Sequence, residues 1–284
     1  MPLLSEIKLI CKQHNIIPSR EMGQNFLINE DVYQRIIEVA GLSKKDVVLE
    51  VGPGLGILTR LLCKNSKRVV AVELDEKIFN YLKIIKELEK LDNLELLNQN
   101  ILDFKIADLS EQKVKVVANL PYNITSIFLR KFLHFLAEEK IDEMVLMLQK
   151  EVAERIVSGA GQMSLLSLSA QFYCDPEIVE YVDKNNFWPQ PKVDSAIIKL
   201  KPIGDLKDKK LRLETDEKVF FQIARIGFSA KRKKLVNNLA NGLRKNQSEI
   251  LPFLSEVGLN GNARAQELNV EQWIRLTHII NNSK

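Results

Sequence analysis

Cysteine is scarce in this chain. There are three in 284 residues, Cys11, Cys63 and Cys174, and they lie far apart. They form neither a C-x-x-C pair nor an even disulfide set, which fits a reducing compartment. Histidine is equally sparse (His14, His134, His278) and has no metal-ligand spacing, either within the set or with the cysteines; we expect no metal. No apolar run approaches the ~18 residues that a membrane span needs. The first residues, Glu6 among them, lack the apolar core of a secretory signal. There is no internal repeat and no low-complexity tract. What remains fits a soluble protein, 45% hydrophobic and long enough for one large domain and one small one, which we expect to be cytoplasmic and monomeric.

Glycine is well placed where it does occur. Glu50-Val51-Gly52-Pro53-Gly54-Leu55-Gly56 follows the apolar run Val47-Val48-Leu49 and precedes a helical pattern beginning at Ile57. Strand, tight turn and helix in that order bring backbone N–H groups close to a ligand. The dinucleotide fingerprint is G-x-G-x-x-G. The spacing here is G-x-G-x-G with an acid two residues ahead, a pattern that resembles S-adenosylmethionine-dependent methyltransferases. A second candidate strand, Val69-Val70-Ala71-Val72, ends at Glu73, 21 residues beyond Gly52. An acid at that distance accepts hydrogen bonds from ribose hydroxyls. Against this stands the reading of a plain loop and a surface acid.

Strand patterns at Val47–Val51, Val69–Glu73, Leu94–Asn98, Val114–Ala118 and Glu143–Gln149 alternate with helical ones such as Glu30–Ala40, Lys77–Leu91 and Thr125–Glu138. That alternation predicts a parallel sheet covered on both faces. Two late strands are expected at Ile178–Val182 and Ser195–Lys201. Pro202-Ile203-Gly204-Asp205 reads as a boundary. The expected domains are 1–204, with an N-terminal arm over 1–28, and an all-helical 205–284. Net charge is +4, but Lys199 to Lys245 holds 14 Lys or Arg against 5 Asp or Glu, densest at Lys231-Arg232-Lys233-Lys234. Such a run is either a solvated face or the footprint of a phosphate backbone.

The fourth strand runs into Asn119-Leu120-Pro121-Tyr122-Asn123. Ligands of open α/β sheets bind at the carboxyl ends of strands. The Asn119 amide oxygen and the Leu120 or Pro121 carbonyl can accept from an exocyclic amine, and Tyr122 can stack on its base. The competing reading is an ordinary turn, which Asn and Pro favour.

Taken together, these motifs resemble the ribosomal RNA adenine N6-dimethyltransferase family, and within it the bacterial small-subunit branch. Further matches are Gly23-Gln24-Asn25-Phe26-Leu27, Met147–Val152, Phe187–Ala196, Lys231–Leu235 and Arg264–Leu268, so the resemblance covers nearly the whole chain. It implies a Rossmann-like class I methyltransferase sheet with a small C-terminal helical domain. It also implies S-adenosyl-L-methionine as donor, and dimethylation of two adjacent adenosines near the 3′ end of 16S rRNA in a 30S subunit or precursor. By the same resemblance Asn25 and Leu27 close over the donor, Gly52 and Gly54 hold its methionine part, and Glu73 its ribose. Asn119, Leu120 and Pro121 face the amine, while Tyr122 and Phe187 sandwich the adenine. Lys231, Arg232, Lys233 and Lys234 bind RNA. Asn100 stands where the family usually has Asp to read the donor's adenine, with Asp103 a nearby substitute. Alternatives are a resistance-type 23S rRNA dimethyltransferase, a mainly non-enzymatic ribosome-assembly factor and a DNA adenine methyltransferase.

Overall fold

The computed structural model describes residues 3–19, 21–109, 113–204 and 206–283. The chain divides into two compact units, Met1–Ala153 with Pro176–Pro202, and Glu154–Asp175 with Ile203–Lys284. No helix among the described residues is long and apolar enough to cross a membrane.

The first unit contains helices α1 (Leu3–Gln13), α2 (Glu30–Ala40), α3 (Ile57–Asn65), α4 (Glu76–Leu88) and α5 (Thr125–Ala137). Between them run strands β1 (Phe26–Leu27), β2 (Val47–Val51), β3 (Arg68–Glu73), β4 (Leu94–Asn98), β5 (Val114–Asn119) and β6 (Ile141–Gln149). After α6 (Lys150–Val157) and α7 (Leu165–Tyr173) come β7 (Cys174–Val182), β8 (Phe187–Trp188) and β9 (Ser195–Pro202). One seven-stranded sheet has the order β4-β3-β2-β5-β6-β9-β7, and β1 pairs with β8 in a separate ribbon. Five strands are parallel, β4 through β6. All five residues of β2 are buried, which is why that strand reads as an apolar run broken only by Glu50.

The sequence predicts a parallel sheet, but β9 lies antiparallel to β6, pairing Met144 with Leu200 and Gln149 with Ser195. Alternation of apolar side chains is the same in either direction, so the sequence pattern cannot signal strand direction. Helix α2 starts where the Asn29 side chain accepts from the Asp31 N–H, and stops at Gly41, whose left-handed φ of 50° turns the chain out. Two lysines hold that helix end. Lys115 Nζ reaches the carbonyls of Ala40 and Gly41 at 3.0 and 3.1 Å, and Lys199 Nζ that of Val39 at 2.7 Å. Glu143 lies within 3.2 Å of both ammonium groups.

The second unit is helical: α7, α8 (Leu206–Leu213), α9 (Glu217–Gly227), α10 (Leu235–Leu243), α11 (Gln247–Glu256) and α12 (Val270–Asn282). Its core centres on the fully buried Trp273. The division differs from the sequence boundary at 204/205 in one segment, because residues 154–175 cluster with the helices. The cause is aromatic. Phe172 stacks on Phe220 with centroids 4.4 Å apart, and Tyr173 meets Phe221 at 5.7 Å.

Candidate active site

The sheet order reverses direction beside β2. The chain runs outward from β2 through β3 to β4, then crosses back to β5 on the other side. Loops leaving β2 and β5 therefore diverge and open a cleft at the carboxyl ends of the strands. The cleft is lined by Gly23 to Leu27 from the arm, Glu50 to Leu55, Glu73, Gln99 to Ile101 and Asn119 to Ile124.

The glycine turn is built for close approach. Gly52, Gly54 and Gly56 all have positive φ, from 55 to 77°, which only glycine adopts without strain. A Cβ on Gly54 would lie 3.4 Å from the Phe26 ring, and one on Gly56 2.8 Å from Leu82. Gly52 N donates to Val72 O at 3.0 Å, locking the turn to β3.

Beneath that turn lie two buried acids, Glu50 and Glu73, 1% and 7% exposed. Glu73 Oε1 accepts from the Asp75 N–H at 2.8 Å and Oε2 from the Gly54 N–H at 3.4 Å. Burial pushes its carboxyl up to about 7, against the pull of those two donors. Burial also pushes Glu50 up to about 8, with the nearby Glu73 charge adding to the rise and the Thr59 hydroxyl opposing it. A cationic ligand with hydroxyls, such as S-adenosylmethionine, fits these acids and the glycine cradle.

The arm is tied down at both rims. Gln24 Nε2 donates to Asp75 Oδ2 at 3.0 Å, and Asp75 in turn caps α4. Across the cleft Asn123 Nδ2 donates to Glu21 O at 2.9 Å. Gly23 passes so near the turn after β5 that a Cβ would lie 3.2 Å from Tyr122 N. Asn25 Nδ2 bonds to Gly23 O at 3.2 Å, and Leu27 is fully buried. Asn100 Oδ1 accepts from Leu102 N at 2.9 Å, keeping one lone pair for a ligand. Asp103 is exposed and does not line the cleft, so it is no substitute for Asn100.

In the turn after β5 the Pro121 carbonyl already accepts from Ile124 N and Thr125 Oγ1, at 3.2 and 3.3 Å. The Asn119 side chain makes no hydrogen bond among the described residues and faces the cleft. The Tyr122 hydroxyl lies 2.7 Å from Ser195 Oγ on β9. Phe187 departs from the expected sandwich. It sits in β8 opposite Leu27, is 3% exposed, and packs in the apolar core rather than lining the cleft. Its neighbour Trp188 stacks on Phe26 with centroids 6.5 Å apart.

Lys231, Arg232, Lys233 and Lys234 belong to the helical unit and are all exposed. Lys234 Nζ bonds to Asn262 Oδ1 at 2.7 Å, and the other three pair with no acid among the described residues. Buried Asn238 holds the turn that presents them, donating to Gly227 O at 2.6 Å and Ala230 O at 3.1 Å. Glu50 and Gln24 stand inside sequence motifs that by themselves give neither residue a role. The signal for Glu50 was present, an acid at the end of an otherwise apolar buried strand.

Comparison with known proteins adds the rest. A family model described as ribosomal RNA adenine dimethylase matches residues 18–282. Ribosomal RNA small subunit methyltransferase A of Dehalococcoides mccartyi (strain 195) is 39% identical over 273 residues, 95% of this chain and 91% of that protein. The enzyme of the same name from Clostridioides difficile is 37% identical over 282 residues, 96% and 94%. Among solved structures, a dimethyladenosine transferase from Plasmodium falciparum superposes with TM-score 0.74 at 25% identity, covering 90% of this chain and 98% of that one. The 23S rRNA methyltransferase ErmE gives 0.66 at 26% identity, covering 90% and 100%. With a donor cleft at the switch point of a Rossmann-like sheet, an unpartnered Asn119 beside it and a family match over nearly its full length, this chain belongs to the ribosomal RNA adenine dimethylases, enzymes that take their methyl groups from S-adenosylmethionine.

Proposed function

We propose that this enzyme transfers methyl groups to the N6 amines of two adjacent adenosines near the 3′ end of 16S rRNA, acting as a cytoplasmic monomer on the 30S subunit or a precursor. The observation that carries the reading is the Asn119 amide, oriented into the donor cleft and engaged with nothing else. Its oxygen accepts a hydrogen bond from one amine N–H, and the Leu120 carbonyl is the turn's acceptor for the other, since that of Pro121 is already taken. Both acceptors raise electron density on nitrogen and align its lone pair. When bound, S-adenosylmethionine supplies a methyl group already activated on a sulfonium, so the protein needs no strong base. Asn119 and Leu120 would hold the amine while it takes up that methyl group, and the amine proton would then pass to water. Tyr122 offers its ring face to a base taken out of its stack, at about 1–3 kcal/mol per stacked base. The sheet unit does this chemistry, and the helical unit grips rRNA phosphates through Lys231–Lys234. The identity of the small-subunit relatives over nearly the whole chain supports the choice of subunit.

The test is methyl transfer from labelled donor to 30S particles, 50S particles and naked 16S rRNA. Two labelled dimethyladenosines per 30S particle are expected. Label in 50S alone overturns the substrate, and label in neither overturns the activity.

A further inference from the structure

We infer that Ser195 is a positioning residue for the reaction, holding the Tyr122 ring at the angle that receives the adenine. The inference rests on the reading of Tyr122 as the stacking face. Tyr122 sits on the turn after β5, and a turn residue's ring can swing about χ1 and χ2. Its hydroxyl is tied at 2.7 Å to Ser195 Oγ. Ser195 is fully buried and stands in the register of β9 opposite Gln149, with β6 on one side and β7 on the other. The far end of the ring is therefore fastened to a rigid strand, while its near end follows the catalytic turn. The phenolic oxygen lies on the χ2 axis, so a hydrogen bond there acts at the longest lever arm about χ1: it fixes where the ring stands before any RNA arrives, and the in-plane preference of the phenol O–H biases the ring plane. Sites supported in this way keep the geometry that chemistry needs. The motif Lys192-Val193-Asp194-Ser195-Ala196 was visible in the sequence, but nothing there joined it to Tyr122, 73 residues away.

A double-mutant cycle tests the assignment, with wild type, Ser195→Ala, Tyr122→Phe and the double variant, in single-turnover methylation of 30S particles at saturating donor. Each single change removes one side of the same bond. Each is expected to slow turnover about three- to tenfold, the range of one net hydrogen bond. The double variant is expected to be no slower than the singles. The donor dissociation constant stays as in wild type, because the glycine turn and Glu73 that hold the donor are unchanged. In the free protein, the ζ-carbon resonance of labelled Tyr122 shifts in Ser195→Ala. Rate losses that multiply, normal turnover in Ser195→Ala, or an unmoved resonance overturn the assignment. So does a Ser195→Ala variant that melts earlier yet turns over normally, since the pair would then only fill the core. A wild type that methylates while the cycle multiplies sinks Ser195 alone. A wild type that transfers no methyl to RNA sinks the functional reading and this inference with it.

Discussion

At the level of single residues, burial holds the two acids of the cleft near the point where protonated and ionised forms balance. Glu73 is held at about 7 and Glu50 at about 8. A donor carrying positive charge and ribose hydroxyls favours both ionised forms, so binding expels protons. Donor affinity is expected to rise with pH from about 6 to 8, with proton release seen by calorimetry in buffers of different ionisation enthalpy. Glu73→Ala is expected to weaken the donor by about 1.5–3 kcal/mol, through loss of charge-assisted bonds, and to flatten the pH dependence. An unchanged dissociation constant would remove Glu73 from the site. Asn119→Ala, by contrast, leaves rRNA binding intact and lowers single-turnover methylation roughly 10²-fold or more, because an acceptor aligned on the reacting amine is gone. Near-normal turnover would make the turn structural. Glu73 was legible in the sequence because its distance from Gly52 is set by one strand–helix–strand unit. The burial of Phe187 was not. It depends on β8 pairing with β1, which brings Phe187 beside Leu27 from 160 residues away.

Among elements, those with long periodic patterns were legible almost to the residue. Strand β2 and helix α2 match the sequence reading end to end. Helix α1 was absorbed into the N-terminal arm, although its buried Leu3, Ile7 and Cys11 recur at helical spacing. The two-residue ribbon of β1 and β8 has no period to detect. The basic turn ahead of α10 is where element geometry bears on binding. It presents Lys231, Arg232 and Lys233 with no acid beside them among the described residues. Solvated charges fixed on a hydrogen-bonded turn suit a phosphate backbone. Neutralising Lys231 to Lys234 together is expected to reduce the log–log salt slope of 30S binding by up to about one unit per lost contact. Donor affinity stays unchanged, since the cleft is lined by residues of the sheet unit. Parallel lines for wild type and variant would move the rRNA contacts elsewhere.

For the molecule as a whole, the two buried acids set a pH dependence of folding. Their folded values lie above the ordinary 4.5. Their contribution is thus fully present below about pH 4.5 and is lost as pH rises through about 7 to 8. Between pH 5.5 and 8.5 the donor-free protein is expected to lose more stability than a Glu50→Gln variant, measured by urea unfolding. Equal losses would show that Glu50 is solvated in solution. The same feature bears on the protein's life in a cell. A donor that favours the ionised forms of Glu50 and Glu73 binds the folded state alone and adds its binding free energy to folding. A ligand at a hundredfold its dissociation constant adds about 2.7 kcal/mol to folding stability. When methionine runs short, the unliganded fraction grows and with it the share open to proteases. The abundance of the enzyme then follows the supply of the metabolite it consumes.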